Sequence, residues 1–149
     1  GCDLEIVEAR TQGFVSDFLT EVERGYVAAN ADGDAKDAAA NLLWSAKESA
    51  LKVLRTGLRR DTRTVEVTVE ESGQGSDTDH WGRLTISTIE GATLTGWWRR
   101  EGAFLLTIAA DSSIPQPEPL PGCARLSEAS PVHSWVGRPL ASSWPGRSA

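Results

Sequence analysis

The chain has no methionine, and its first 110 residues have no proline; all seven prolines fall between Pro115 and Pro145. It has two cysteines, Cys2 and Cys123, which are too few for a disulfide framework and lack zinc-ligand spacing. No apolar run approaches the roughly 20 residues of a membrane-spanning helix, and no signal peptide is visible. Positive charge is in deficit: the net charge of −6 argues against general nucleic-acid binding. These absences set the expectation of a cytoplasmic protein with no membrane or nucleic-acid partner. A chain that opens on Gly1 and lacks methionine also reads as a piece of a longer product.

What is present is ordinary in bulk. The 149 residues are 40% hydrophobic and 24% charged, enough for one domain with a sizeable core. The proline boundary divides them. Residues 1–110 carry 12 Lys and Arg against 18 Asp and Glu, while residues 111–149 carry three of each. The run from Pro115 to Pro121 is a polyproline-type spacer, and the expectation for 111–149 is a flexible Pro/Ser-rich tail, with Trp135 and Trp144 able to dock on the domain.

Within 1–110 the patterning changes along the chain. Residues 1–7 alternate, as in a strand that buries Cys2, Leu4 and Ile6 and turns Asp3 and Glu5 away from the core. Residues 14–30 are helical, broken near Thr20, which can cap a helix with Glu23 three positions on. A long helix is expected over 35–55, with Asp34 as N-cap and Gly57 as terminator. Its core stripe is Ala39, Leu43, Ala46, Ala50 and Val53; Asn41, Ser45, Glu48, Lys52 and Arg55 lie opposite. Strands follow over 64–70, with Val65, Val67 and Val69 inward, and over 84–87, 93–98 and 104–109. The expected fold is α+β: a strand, two helices, and an antiparallel sheet of about four strands.

Two segments carry chemistry. Asp3 and Glu5, two apart on a strand, point the same way with Cα atoms about 6.5–7 Å apart. Like charges about 4 Å apart repel by about 4 kcal/mol at a surface-like dielectric, so a third carboxylate brought to them calls for a cation. On the long helix, Glu48 and Lys52 form an i,i+4 pair that by itself amounts to about 0.2–0.5 kcal/mol on a solvated face. Lys47, Lys52, Arg55, Arg59, Arg60 and Arg63 add a basic stretch, which suits either a polyanionic ligand or the C-terminal end of a helix. Asp77, Asp79 and His80 read as a turn, and His133 has no evident partner.

Gly1-Cys2-Asp3-Leu4-Glu5, followed by Trp44-Ser45-Ala46-Lys47-Glu48-Ser49-Ala50-Leu51-Lys52, resembles the paired signature of the 4'-phosphopantetheinyl transferases. The intervening Phe14, Phe18, Thr20 and Glu23 fit the same pattern. The continuation Val53-Leu54-Arg55-Thr56-Gly57-Leu58 is closer to the larger, surfactin-synthetase-activating subclass than to the small trimeric synthases. The resemblance implies that Asp3, Glu5 and Glu48 hold Mg²⁺, that Glu48 and Lys52 are catalytic, and that Lys47 and Lys52 hold coenzyme A phosphates. Trp44 would contribute to the coenzyme-binding site, and Glu23 would lie near it. The implied reaction moves 4'-phosphopantetheine from coenzyme A to a serine of an acyl or peptidyl carrier protein.

The larger subclass has two similar halves, and the signature here belongs to the second. The resemblance therefore carries a further expectation of pairing with an N-terminal half, or of self-association. The alternative is a non-catalytic fragment that binds coenzyme A or the carrier.

Overall fold

The computed structural model describes residues 1–70 and 80–132. The fold is α+β, as expected, with three helices on one face of a five-stranded antiparallel sheet. In chain order the elements are β1 (Cys2–Ile6), α1 (Gln12–Phe18), α2 (Glu21–Ala29), α3 (Asp34–Val53), β2 (Val65–Val69), β3 (Gly82–Thr88), β4 (Thr93–Glu101) and β5 (Phe104–Ala110). The sheet order is β1-β5-β4-β3-β2, so the first strand joins the sheet through the last. Asp3 is paired with Thr107, and Glu5 with Leu105.

The core lies between α3 and the sheet. Ala39, Leu43, Ala46, Ala50 and Leu51 meet Val65, Val67, Leu84, Ile86, Leu94, Leu105 and Ala109. Each fully buried Leu, Ile or Val contributes about 1.5–3 kcal/mol, and the alanines let the helix lie close to the strands. Thr20 caps α2 through the expected reciprocal bonds with Glu23. The ends of α3 differ from expectation. Its N-cap is Gly33, and Asp34 is instead the first helical residue, where both guanidinium Nη atoms of Arg100 reach its carboxylate at 2.7 Å. The helix stops before Gly57: Arg55 takes a left-handed φ of 57°, and the Arg55 and Thr56 N–H groups bond back to Lys52 and Leu51.

The alternation in β1 is correct, but its faces are reversed. Asp3 and Glu5 point toward α3, whereas Cys2 is exposed and Leu4 is 49% exposed on the opposite face. The reason lies in the second apolar side of the sheet. Ile6, Phe104, Leu106, Ile108 and Trp97 share that outer face with Cys2 and Leu4. The first part of the Pro-rich segment crosses it. Trp97 Nε1 donates to Ile114 O at 3.1 Å, Thr95 Oγ1 to Ser112 O at 3.0 Å, and Leu126 N to Glu101 Oε2 at 2.9 Å. A cavity of about 280 Å³ remains between Trp81, Leu106 and Ile108 on the sheet and Pro117, Pro119 and Leu126 above them. Asp77, Asp79, His133, Trp135 and Trp144 lie outside the described residues.

Candidate active site

Two segments about forty residues apart meet where α3 crosses β1. The approach is close enough that a Cβ on Gly1 would lie 2.2 Å from Ser49 O and 2.9 Å from Lys52 Cβ, which only glycine avoids. Across this seam Lys52 Nζ donates to Asp3 Oδ1 at 2.7 Å and to Cys2 O at 2.8 Å. Ser45 Oγ donates to the other Asp3 oxygen at 2.9 Å. Beneath it, Ser45, Thr107 and Ser49 form a buried row of hydroxyls, with oxygens 2.9 and 2.8 Å apart. Asn41 and Ser45, expected on the solvent side of the helix, are thus fully buried, because β1 and β5 cover that side. A row of small polar residues, rather than long charged ones, was the available sequence signal for such a seam.

Glu5 is held from both ends. Its Oε1 accepts from Trp44 Nε1 at 3.1 Å, and its Oε2 from Arg10 Nη2 at 3.0 Å. Trp44 is buried, edge-on to Phe14 and Phe18 with ring centroids 5.1 Å away in each case. It therefore anchors a carboxylate instead of presenting an open platform for a cofactor.

Glu48 is half-buried on the same side of α3, within reach of the charges of Asp3 and Lys52. Burial raises its pKa, Asp3 raises it further, and Lys52 opposes both. Glu5 is raised as well: burial is the largest cause, Arg10 counters it, and Asp3 adds to it. Lys52 titrates above its ordinary range, since the hydrogen bond and charge of Asp3 together with the charge of Glu48 outweigh its burial. Burial is the leading cause at both carboxylates, and the nearby charge of Asp3 adds to it.

Lys47 is not part of this group. Its side chain has no solvent exposure, and its ammonium is 2.9 Å from Glu23 Oε2 and donates to Thr62 O at 2.8 Å and to Val65 O. Burial pulls its pKa down, with Glu23 opposing. The expectation that it holds a coenzyme phosphate fails on geometry, because its three protons are already used inside the core. Glu23 is likewise interior. It accepts from Thr20 N at 2.7 Å and from Val67 N at 2.8 Å, and so ties α2 to α3 and β2.

The donor set of Asp3, Glu5 and Glu48 is all oxygen, which suits a hard divalent cation. The arrangement is one neutralised from within. Asp3 faces Lys52 and Glu5 faces Arg10, and among the described residues no three His, Cys, Asp or Glu side chains converge as metal ligands. Arg10, Asn41 and Thr107 are the site residues that sequence reading missed. Arg10 sits in a connecting segment without periodicity, and Thr107 is a single polar residue in an apolar strand.

The sequence pattern of the 4'-phosphopantetheinyl transferase superfamily (ACPS) matches residues 1–109. The chain belongs to that superfamily. Membership implies a phosphopantetheinyl transferase, with coenzyme A and a carrier protein as its partners. No curated protein matches the chain. Among the described residues no helix is long and apolar enough to cross a membrane.

Proposed function

We propose that this domain carries out Mg²⁺-dependent transfer of 4'-phosphopantetheine from coenzyme A to a serine of an acyl or peptidyl carrier protein, in the cytoplasm. The observation that carries the reading is the Asp3–Lys52 contact at 2.7 Å, which joins the two signature segments at one seam. Asp3, Glu5 and Glu48 would hold the metal. When bound, it would neutralise the pyrophosphate oxygens and the charge that develops at phosphorus.

The chain's own residues divide the remaining work. Lys52 is 45% exposed on a flexible stem, so its ammonium is free to move from Asp3 to a phosphate oxygen. Glu48, on the next turn of the same helix face, takes the proton of the attacking serine hydroxyl, directly or through water. A bond forms from the serine oxygen to the phosphorus bearing the pantetheine. The bond to the bridging oxygen breaks, and 3',5'-ADP leaves.

The test is to incubate the protein with coenzyme A, Mg²⁺ and an apo carrier protein, alone and with a supplied N-terminal half, and to weigh the carrier. A phosphopantetheine adduct is expected. Its absence under both conditions sinks the transferase reading. The second reading, a fragment that binds coenzyme A or carrier without chemistry, draws on the mutual neutralisation of Asp3 and Lys52. Calorimetric binding of coenzyme A without any adduct would favour it.

A further inference from the structure

Arg10 is the best-anchored cation at this seam. It lies in the segment between β1 and α1, at the end of a network that reaches into α3. Its Nε donates to Asn41 Oδ1 at 2.8 Å, its Nη2 to Glu5 Oε2 at 3.0 Å, and its Nη1 is 3.4 Å from Glu8 Oε1. The guanidinium lies over the Phe14 ring, 4.9 Å from its centroid. Asn41 is itself fixed. It is fully buried, and its amide nitrogen donates to Glu8 O and Asp37 O, both at 2.7 Å, so its oxygen has to face Arg10.

Lys52 differs in each respect. Its head bonds one carboxylate oxygen and one backbone carbonyl, no aromatic ring among the described residues lies beneath it, and nearly half of its side chain is in solvent. The two acids of β1 thus have counter-ions of different kinds, one clamped and one mobile.

We propose that Arg10 is a positioning residue for Glu5: with Trp44 it fixes the Glu5 carboxylate beside Asp3 and stays in place when a divalent cation binds, whereas Lys52 is the counter-ion that leaves. This rests on the metal reading above. The geometry permits it, because a carboxylate has about four acceptor directions and Arg10 and Trp44 take one on each oxygen. Lysine would not replace arginine here. The role needs a planar fork that bonds Asn41 and Glu5 at once while stacked on Phe14, and an ammonium offers one point of charge.

The test uses the full chain and two readouts. The first is the indole N–H resonance of Trp44, assigned with Trp44→Phe and recorded without metal. Arg10→Gln is expected to move it toward the position found in Glu5→Ala, because an unclamped Glu5 leaves the indole. The second is calorimetric titration with Mn²⁺ in the absence of coenzyme A. Arg10→Gln is expected to weaken binding by about 10–100-fold, the usual effect of losing a partner that orients a ligand. Lys52→Ala is expected to leave Mn²⁺ binding equal to or tighter than wild type. Arg10→Lys serves the same comparison should the glutamine variant fail to fold, with a partial shift and intermediate affinity expected. An unmoved indole resonance in a folded Arg10 variant overturns the proposal, as does Mn²⁺ affinity that matches or exceeds wild type. A wild-type chain that takes up no Mn²⁺ overturns the metal reading on its own. The metal-free indole signal still decides whether Arg10 positions Glu5.

Discussion

Lys47 Nζ lies 2.9 Å from Glu23 Oε2, and neither side chain has any exposure to solvent. Two charges so placed are held by each other and by backbone groups of α2 and β2. Removing either partner leaves the other buried and uncompensated, which typically costs about 3–5 kcal/mol. Lys47→Met and Glu23→Gln are each expected to destabilise the fold by that order. The double variant is expected to cost much less than their sum, since no lone charge remains. Urea unfolding of the three variants measures this. The double variant, once folded, is also expected to keep its affinity for coenzyme A. Loss of that affinity would return Lys47 to the ligand site.

Glu48 gives a pH-dependent prediction. Its folded-state pKa is raised above the ordinary value, so it stabilises the metal-free fold fully below about pH 4.5, and that contribution is lost as pH rises through the folded value. Glu48→Gln lacks this loss. It is expected to be more stable than wild type at pH 7, by less than about 1 kcal/mol given its partial exposure, and to lose the advantage as pH falls. Thermal melts across pH 4–8 check the sign. The same substitution is expected to abolish carrier modification.

Arg55 occupies a left-handed position at which glycine is the usual residue. An L side chain there carries a steric cost of about 1–2 kcal/mol, part of which glycine returns as greater freedom in the unfolded chain. Arg55→Gly is expected to raise stability by about 0.5–1 kcal/mol in a denaturant titration. A loss of stability would mean that the guanidinium makes a contact outweighing the backbone gain.

Ending the chain after Ala110 uncovers the outer face of the sheet. Trp97 loses its bond to Ile114, and Leu106 and Ile108 lose the cover of Pro117, Pro119 and Leu126. The shortened protein is expected to melt several degrees lower and to associate with rising concentration, as exposed apolar patches do. Light scattering behind a sizing column reads the second effect. A monomer with unchanged melting would show that the segment lies on the sheet without supporting it.

Much of the architecture was legible because periodicity carries it. The alternation of Val65, Val67 and Val69 and the stripe from Ala39 to Ala50 report which sides are buried. Periodicity is blind to the identity of the partner layer. It gave the alternation of β1 but assigned Cys2 and Leu4 to the core, because nothing local says that the sheet has two covered faces. The same blindness placed Asn41 and Ser45 in solvent. The signature segments singled out Asp3, Glu5, Glu48 and Lys52, and the fold brings Asp3, Glu5 and Lys52 to one seam with Glu48 beside them. It could not say that Lys47, one residue from Glu48, points about 100° around the helix into the core. Nor could it find Arg10, whose role depends on a connection of no regular pattern.

The pairing of β1 with β5 has a consequence for the order of events at synthesis. Asp3 and Glu5 belong to a strand whose only partner among the described residues is Phe104–Ala110, so about a hundred residues must leave the ribosome before it can dock there. Contacts of such long sequence separation form late. Helix α3 and the β2–β3–β4 meander are able to assemble earlier, with Glu48 and Lys52 already displayed. The acids then dock late, and the arrival of β5 decides whether Lys52 finds a carboxylate beside it.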